Sequence, residues 1–249
     1  MGDDRLPEMS NAAMIGRMPA DVTNLLDRRV YAFAQVDRLL RLHGGTARRW
    51  IDGYVRAGRV YPPVVREHAT GEDVVTWGEF VETRLLSEYR DAGVPLIRMR
   101  PVIEGLREEL NTKYPLASAR TWIRPHGREL VREIQDRVGL ERRLALVVMR
   151  TGQTVPEWSS EAEEFRQSIE WTTQTDDGVP SRVRPFADLS YVLIDPLKGF
   201  GEPVVRGVRT EIIAELFRAG DSPDMIANLY ELDRIAVEEA VRYEMKLAA

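Results

Sequence analysis

Apolar positions in the first part of the chain recur at helical spacing in short blocks separated by glycines. Phe33, Val36, Leu39 and Leu40 predict a helix over about 32–41, which Gly44-Gly45 ends. Thr46 is placed to cap a second short helix from Ala47 to about Tyr54, closed by Gly53 and Gly58. The β-branched runs Val60 to Arg66 and Val74-Val75-Thr76, joined through a Gly71 turn, predict a hairpin. Val81, Leu85 and Tyr89 predict a helix over about 78–92, and Met99, Ile103, Leu106 and Leu110 one over about 97–110, with Pro101 in its first turn. From about 119 to 190 the pattern shifts to short β-type runs broken by turn signals, among them Pro125-His126-Gly127, Thr151-Gly152 and the hairpin dipeptide Asp177-Gly178. An acidic helical patch over 159–166, with Ser159 or Ser160 as its cap, interrupts them. After an extended lead-in at 191–196, three short helices are expected over about 211–219, 223–230 and 234–246. Gly220 stops the first, Ser222-Pro223 starts the second and Asp233 caps the third.

This pattern implies an α+β protein in four parts. A disordered tail over 1–24 precedes a helix-turn-helix with a wing over 25–116. A small central antiparallel β region follows over 117–190, and a C-terminal three-helix, helix-turn-helix-like module over 191–249. The 249 residues, 43% hydrophobic and 30% charged, suffice for a sizeable core and, at roughly 100–200 residues per domain, for two small domains. The absence of cysteine excludes thiolate catalysis and cysteine-ligated metal, and predicts a reducing compartment, the cytoplasm. The longest apolar run, Leu144 to Met149, falls far short of the ~20 residues that span a bilayer, so no membrane partner is expected.

Charge divides the chain further. The net charge of −5 conceals nine arginines against four acids over 25–68, and seven bases against eleven acids over 191–249. A basic head is an electrostatic footprint for nucleic acid, whereas phosphates repel an acidic tail, which suits a protein contact. Arg outnumbers Lys 32 to 3, as a GC-rich genome would produce, but codon bias does not account for the clustering.

Enzyme chemistry finds little footing. His43, His68 and His126 are scattered with no metal-ligand spacing, and no phosphate-binding loop, nucleophile elbow or dinucleotide fingerprint occurs, so neither catalysis nor a cofactor is expected. The second helix of the head carries Arg48 and Arg49, which as an isolated pair would be ordinary surface arginines. Their sequence context of short helix, Gly turn, Thr46 cap, basic helix and then Arg66 on the predicted wing favours DNA. Trp50 and Ile51 belong to the core in this reading, and Tyr54 points either to phosphate or inward.

The runs Tyr31 to Val36, Thr46-Ala-Arg-Arg-Trp-Ile-Asp-Gly-Tyr54, Trp77-Gly-Glu-Phe80 and Leu86 to Leu96 together resemble a MerR-like winged helix-turn-helix. More closely, they resemble the head of a VapB-type antitoxin subgroup that pairs it with a C-terminal domain of unknown function, DUF433. The second signature is Ile194-Asp195-Pro196, Phe200 to Arg209, Leu216 to Ala227 and Val237 to Tyr243. The resemblance spans about 29–249. It implies a homodimeric antitoxin that binds operator DNA through Thr46, Arg48, Arg49, Tyr54 and Arg66 and neutralises a PIN-domain ribonuclease toxin. Arg206 and Arg209 are candidates for the toxin contact, the alternative being a turn that braces the helical module. A MerR-like transcriptional regulator without a toxin is the competing reading.

Overall fold

The computed structural model describes residues 25–123, 126–149, 155–173 and 178–248. The predicted tail, Pro125, the Thr151-Gly152 turn and Asp177 lie outside them. The architecture is α+β, with small antiparallel sheets among short helices.

The head opens with a strand that local patterning does not reveal. β1 (Arg29–Ala32) pairs antiparallel with β4 (Val74–Thr76), and between them lie α1 (Phe33–Leu39), α2 (Thr46–Ile51) and a hairpin of β2 (Tyr54–Arg56) and β3 (Arg59–Tyr61). The predicted hairpin is therefore corrected in register: Val74 to Thr76 pairs with β1, and Tyr61 pairs back to Tyr54. The cap of α2 also differs from expectation. Gly45 holds the cap position, and the Asp37 carboxylate, reaching from α1, accepts the amides of Gly45 and Ala47, each at 2.7 Å. A carboxylate at a helix N-terminus satisfies unpaired donors and complements the helix dipole, so Asp37 fixes the α1–α2 angle.

α3 (Trp77–Glu88) starts from a reciprocal capping box between Thr76 and Glu79. It is buried on nearly every side, with Trp77, Phe80, Val81, Leu85 and Leu86 fully enclosed, which makes it the axis of the larger core. Trp77 donates its ring N–H to the Pro180 carbonyl at 2.7 Å. α4 (Arg100–Leu110) follows a short 3₁₀ turn and presents Val102, Ile103, Leu106 and Leu110 inward.

Two helices stand where short strands were expected: α5 (Ala119–Trp122) and α6 (Gly127–Arg137). Val131, Ile134 and Gln135 are the inward face of α6 at i, i+3 and i+4, and Gly127 begins the helix instead of closing a hairpin. Gln135 pins the next strand, donating to the Val147 carbonyl at 2.6 Å and accepting the Val147 amide at 3.2 Å. β5 (Val147–Val148) pairs with β6 (Glu157–Trp158). α7 (Ser160–Ser168) then starts from the expected Ser159 cap, whose hydroxyl accepts the Ala162 amide.

β7 (Ile169–Trp171) and β8 (Pro180–Val183) form the hairpin anticipated around Asp177-Gly178. Their sheet continues through β9 (Leu193–Ile194), β10 (Pro203–Val205) and β11 (Val208–Arg209), an all-antiparallel ladder of five that crosses the boundary expected at 190. Beyond it lie α8 (Thr210–Ala219), α9 (Pro223–Tyr230) and α10 (Arg234–Ala248). Their starts fall within a residue of expectation, and Ser222 caps α9 through the Met225 amide. They enclose a second core of Val192, Val205, Ile213, Ile226, Val237, Ala240 and Tyr243, among others. Among the described residues no helix is long and apolar enough to cross a membrane.

Candidate nucleic-acid interface

The α1–α2 pair and the β2–β3 hairpin bring the exposed arginines of the head to one region of the chain. Arg48 and Arg49 both sit on the outer side of α2, while Thr46, Ala47 and Ile51 turn inward. Arg48 contacts Asp73 at 2.9 Å, and its guanidinium lies 5.5 Å from the centre of the Phe33 ring. Both partners of that ion pair are well exposed, so it is worth at most about 1 kcal/mol and leaves the cation free to exchange partners. The buried Thr46 hydroxyl accepts a hydrogen bond from Arg49 at 2.9 Å, so Thr46 orients an arginine without reaching the surface itself.

The hairpin was the feature missed by sequence reasoning, although its signal is visible. Tyr54-Val-Arg-Ala-Gly-Arg-Val-Tyr61 is a mirrored sequence around Ala57-Gly58, and these two residues take the left-handed conformation (φ 49° and 73°) that a two-residue hairpin turn requires. Every cross-strand pair is thus like with like: Tyr54 with Tyr61, Val55 with Val60, Arg56 with Arg59. The tyrosine rings stack 4.6 Å apart and nearly parallel, so Tyr54 does not point into the core: it packs along the hairpin and is 38% exposed. Alternation puts Tyr54, Arg56, Arg59 and Tyr61 on one face, and Val55 and Val60 on the other, 68% and 70% exposed. Directly opposed arginines repel each other. Arg59 leans over the Tyr61 ring at 5.3 Å, and among the described residues neither arginine has an acidic partner.

Arg66 is placed otherwise than expected. It sits in the loop after β3 and is 8% exposed. Its guanidinium donates to Asp52 and Glu79, each at 2.7 Å, to the Thr70 hydroxyl and to the Val74 carbonyl. Burial alone would raise the Asp52 carboxyl. The Thr70 and Gly71 amides and the Arg66 guanidinium more than offset this and hold it below its usual value. Arg66 is thus a correction to the predicted wing arginine: it joins α2, the loop and α3 from inside, and its donors face protein.

At the other end of the chain, Arg206 occupies the two-residue turn of the β10–β11 hairpin with Gly207, and pairs with Asp233 at 2.9 Å. That pair ties the turn to the start of α10, which is the bracing arrangement. Arg209 lies at the end of β11, 3.6 Å from Glu211.

Residues 192–243, from β9 into α10, match the family described as "Protein of unknown function (DUF433)". The "Uncharacterized protein Rv2308" of Mycobacterium tuberculosis is 37% identical over 238 residues, covering 92% of this chain and 96% of that protein. The chain belongs to the same family as Rv2308. In the same organism, a second similar protein, named "Putative antitoxin VapB45", is 29% identical over 218 residues, covering 81% of this chain and 87% of that protein. The crystal structure of Rv2018 from Mycobacterium tuberculosis superposes with a TM-score of 0.67 at 27% identity, covering 87% of this chain and 99% of that one. The family likeness therefore takes in the head as well as the DUF433 segment, and the mixed helix-and-sheet architecture is common to both chains.

Proposed function

We propose that this protein is the antitoxin of a type II toxin–antitoxin pair, without catalytic activity of its own. In this reading α1, α2 and the β2–β3 hairpin act as a MerR-like winged helix-turn-helix on operator DNA, with the hairpin as the wing. The C-terminal DUF433 module holds a protein toxin, which the resemblance implies to be a PIN-domain ribonuclease. The antitoxin half draws support from the relative that bears the antitoxin name. The DNA half rests on one observation above all: Arg56 and Arg59 oppose each other at the hairpin tip with no acidic partner among the described residues. Such a pair costs stability unless an anion bridges it, and backbone phosphate is the anion a basic hairpin beside a basic helix fits. Arg48 and Arg49 on α2 reach the groove, and Tyr54 and Tyr61 stiffen the wing. The protein acts as a homodimer, so that its operator is a pseudo-palindrome with half-sites ~34–36 Å apart or a multiple of that.

The test is co-purification with the product of the adjacent gene, followed by a salt-titrated shift assay on the upstream DNA. A dimer that neutralises about six phosphates gives a log–log salt slope near −5. Binding with that slope, lost with Arg48→Ala, supports the reading. A steep shift with no protein partner leaves a transcriptional regulator without a toxin, and no shift removes the DNA role.

A further inference from the structure

Phe200 is the most exposed large apolar side chain among the described residues, at 89%. Its backbone is left-handed (φ 58°, ψ 31°), a conformation disfavoured for any residue with a Cβ, and it lies between Gly199 (φ 55°) and Gly201 (φ 78°). The turn is nonetheless rigid. The Leu197 amide donates to Asp195 Oδ1 at 2.8 Å, the Lys198 amide to the Asp195 carbonyl at 3.1 Å, and the Gly201 amide to the Lys198 carbonyl at 2.9 Å. From the head, the Tyr31 hydroxyl donates to the Gly201 carbonyl at 2.9 Å, and a Cβ at 201 would overlap Val30 and Tyr31. Glu202, next in sequence, receives Gln35 at 3.1 Å and Arg38 at 2.5 Å from α1. A turn anchored from two sides thus holds an aromatic ring in solvent in an unfavourable backbone conformation. No ring or cation contact within the described molecule compensates it.

The surroundings say what would. Leu197 is exposed beside it, and the Lys198 ammonium has no acidic partner among the described residues. Residues 196–209 carry three cations and one acid, whereas 210–249 carry four bases and nine acids. We infer that Leu197, Lys198 and Phe200 form a preformed docking knob for a protein partner whose surface offers an apolar recess bordered by carboxylates. Large aromatics and cations held in place before binding are the residues that anchor protein interfaces, because little side-chain or loop entropy is lost on association. Nucleic acid does not fit, since the ring is apolar and the module behind it acidic. A second copy of this chain is the competing occupant, which the test separates by oligomeric state. That the partner is the toxin rests on the function proposed above.

The test measures binding of the full chain to the adjacent gene's product by calorimetry, in wild type, Phe200→Asn and Lys198→Glu. Asn tolerates the left-handed conformation, so the Phe200→Asn protein is expected to melt no lower than wild type while its affinity falls at least about tenfold. Lys198→Glu weakens binding less, and its effect shrinks with added salt. Operator binding of both variants stays unchanged. If wild type binds and Phe200→Asn binds equally well, the knob assignment is overturned and the antitoxin reading stands; if wild type does not bind, both fall. A dimer that dissociates with Phe200→Asn at unchanged partner affinity assigns the knob to self-association and overturns the proposal.

Discussion

The two ends of this chain each carry a two-residue hairpin with an arginine at its tip, and treat that arginine in opposite ways. In the head, Arg56 and Arg59 flank Ala57-Gly58 and have no acidic partner among the described residues. In the tail, Arg206 occupies the turn itself and is tied to Asp233. The local backbone solution is the same, left-handed residues in a turn whose twist matches the strands. The neighbouring charge differs: in the tail Asp233 lies within ion-pair reach of the turn arginine, whereas at the head's hairpin tip neither arginine has an acid among the described residues. A hairpin arginine is therefore informative only with its partners in view. The same contrast holds between Arg66, whose donors are spent indoors, and Arg48, whose single exposed pair leaves it available.

Breaking the buried cation has the largest expected effect. Arg66→Ala leaves Asp52 and Glu79 buried without the cation they share, with only backbone amides and the Thr70 hydroxyl as partners, and should cost about 3–5 kcal/mol, read by urea denaturation. A loss below about 1 kcal/mol would mean that Arg66 is closer to a surface residue than its burial indicates.

Next comes a fully buried carboxyl of the head. Glu82 on α3 is fully enclosed; one carboxylate oxygen accepts the Leu116 amide at 2.9 Å and the other has no hydrogen-bond partner among the described residues. Burial pushes its pKa up to about 8 from an ordinary 4.5. The unfolded chain then releases its proton first as pH rises, so stability falls between about 4.5 and 8, with a limiting slope of about 1.4 kcal/mol per unit. Glu82→Gln should flatten that limb. The tail's Asp188 has the opposite sign: the Lys246 ammonium, 2.7 Å away, holds its carboxyl below its usual 3.8. Its contribution is lost only as pH falls through the carboxylate range, and exposure keeps it below about 1 kcal/mol. Melting curves from pH 3 to 9 for wild type, Glu82→Gln and Asp188→Asn separate the two limbs.

The double change Arg56→Ala with Arg59→Ala should leave stability unchanged or slightly raised by relief of cross-strand repulsion, while reducing the operator salt slope by about two per protomer. An unchanged slope would make the hairpin a bystander. Smallest of all, Arg206→Ala removes an exposed ion pair and should cost less than about 1 kcal/mol with operator binding intact. A greater loss would show that this turn does more than brace α10.

Much of this fold was legible because many of its elements start and stop on local signals. α8 ends at Gly220 and α9 begins at Ser222-Pro223 as expected because these signals act on their own neighbours. α7 begins at Ser159 for the same reason. The helices α5 and α6 were not legible, since Trp122-Ile123 and Leu130-Val131 are short apolar runs that fit strand or helix equally well, and only packing decides: α6 against α4 and β5, α5 against α6 and the turn at Pro115–Ala117. Of the candidate interface, Arg48 and Arg49 were readable from the α2 pattern. The β2–β3 hairpin was obscured by assigning Gly58 to a helix end.

The sequence by itself determined the α+β class, the basic head and acidic tail, the C-terminal helices with the Ser222 cap, and the DUF433-like signature. Only the tertiary structure decided that β1 pairs with β4 across more than forty residues, that Asp37 caps α2, that Arg66 is an interior ion and that the turn at Phe200 is held from the head. The division follows from range. Turn, cap and periodicity act within a few residues and are written in consecutive letters. Whether a charged or aromatic side chain meets water, an acid or another core depends on segments far apart in the chain, whose approach no local pattern specifies.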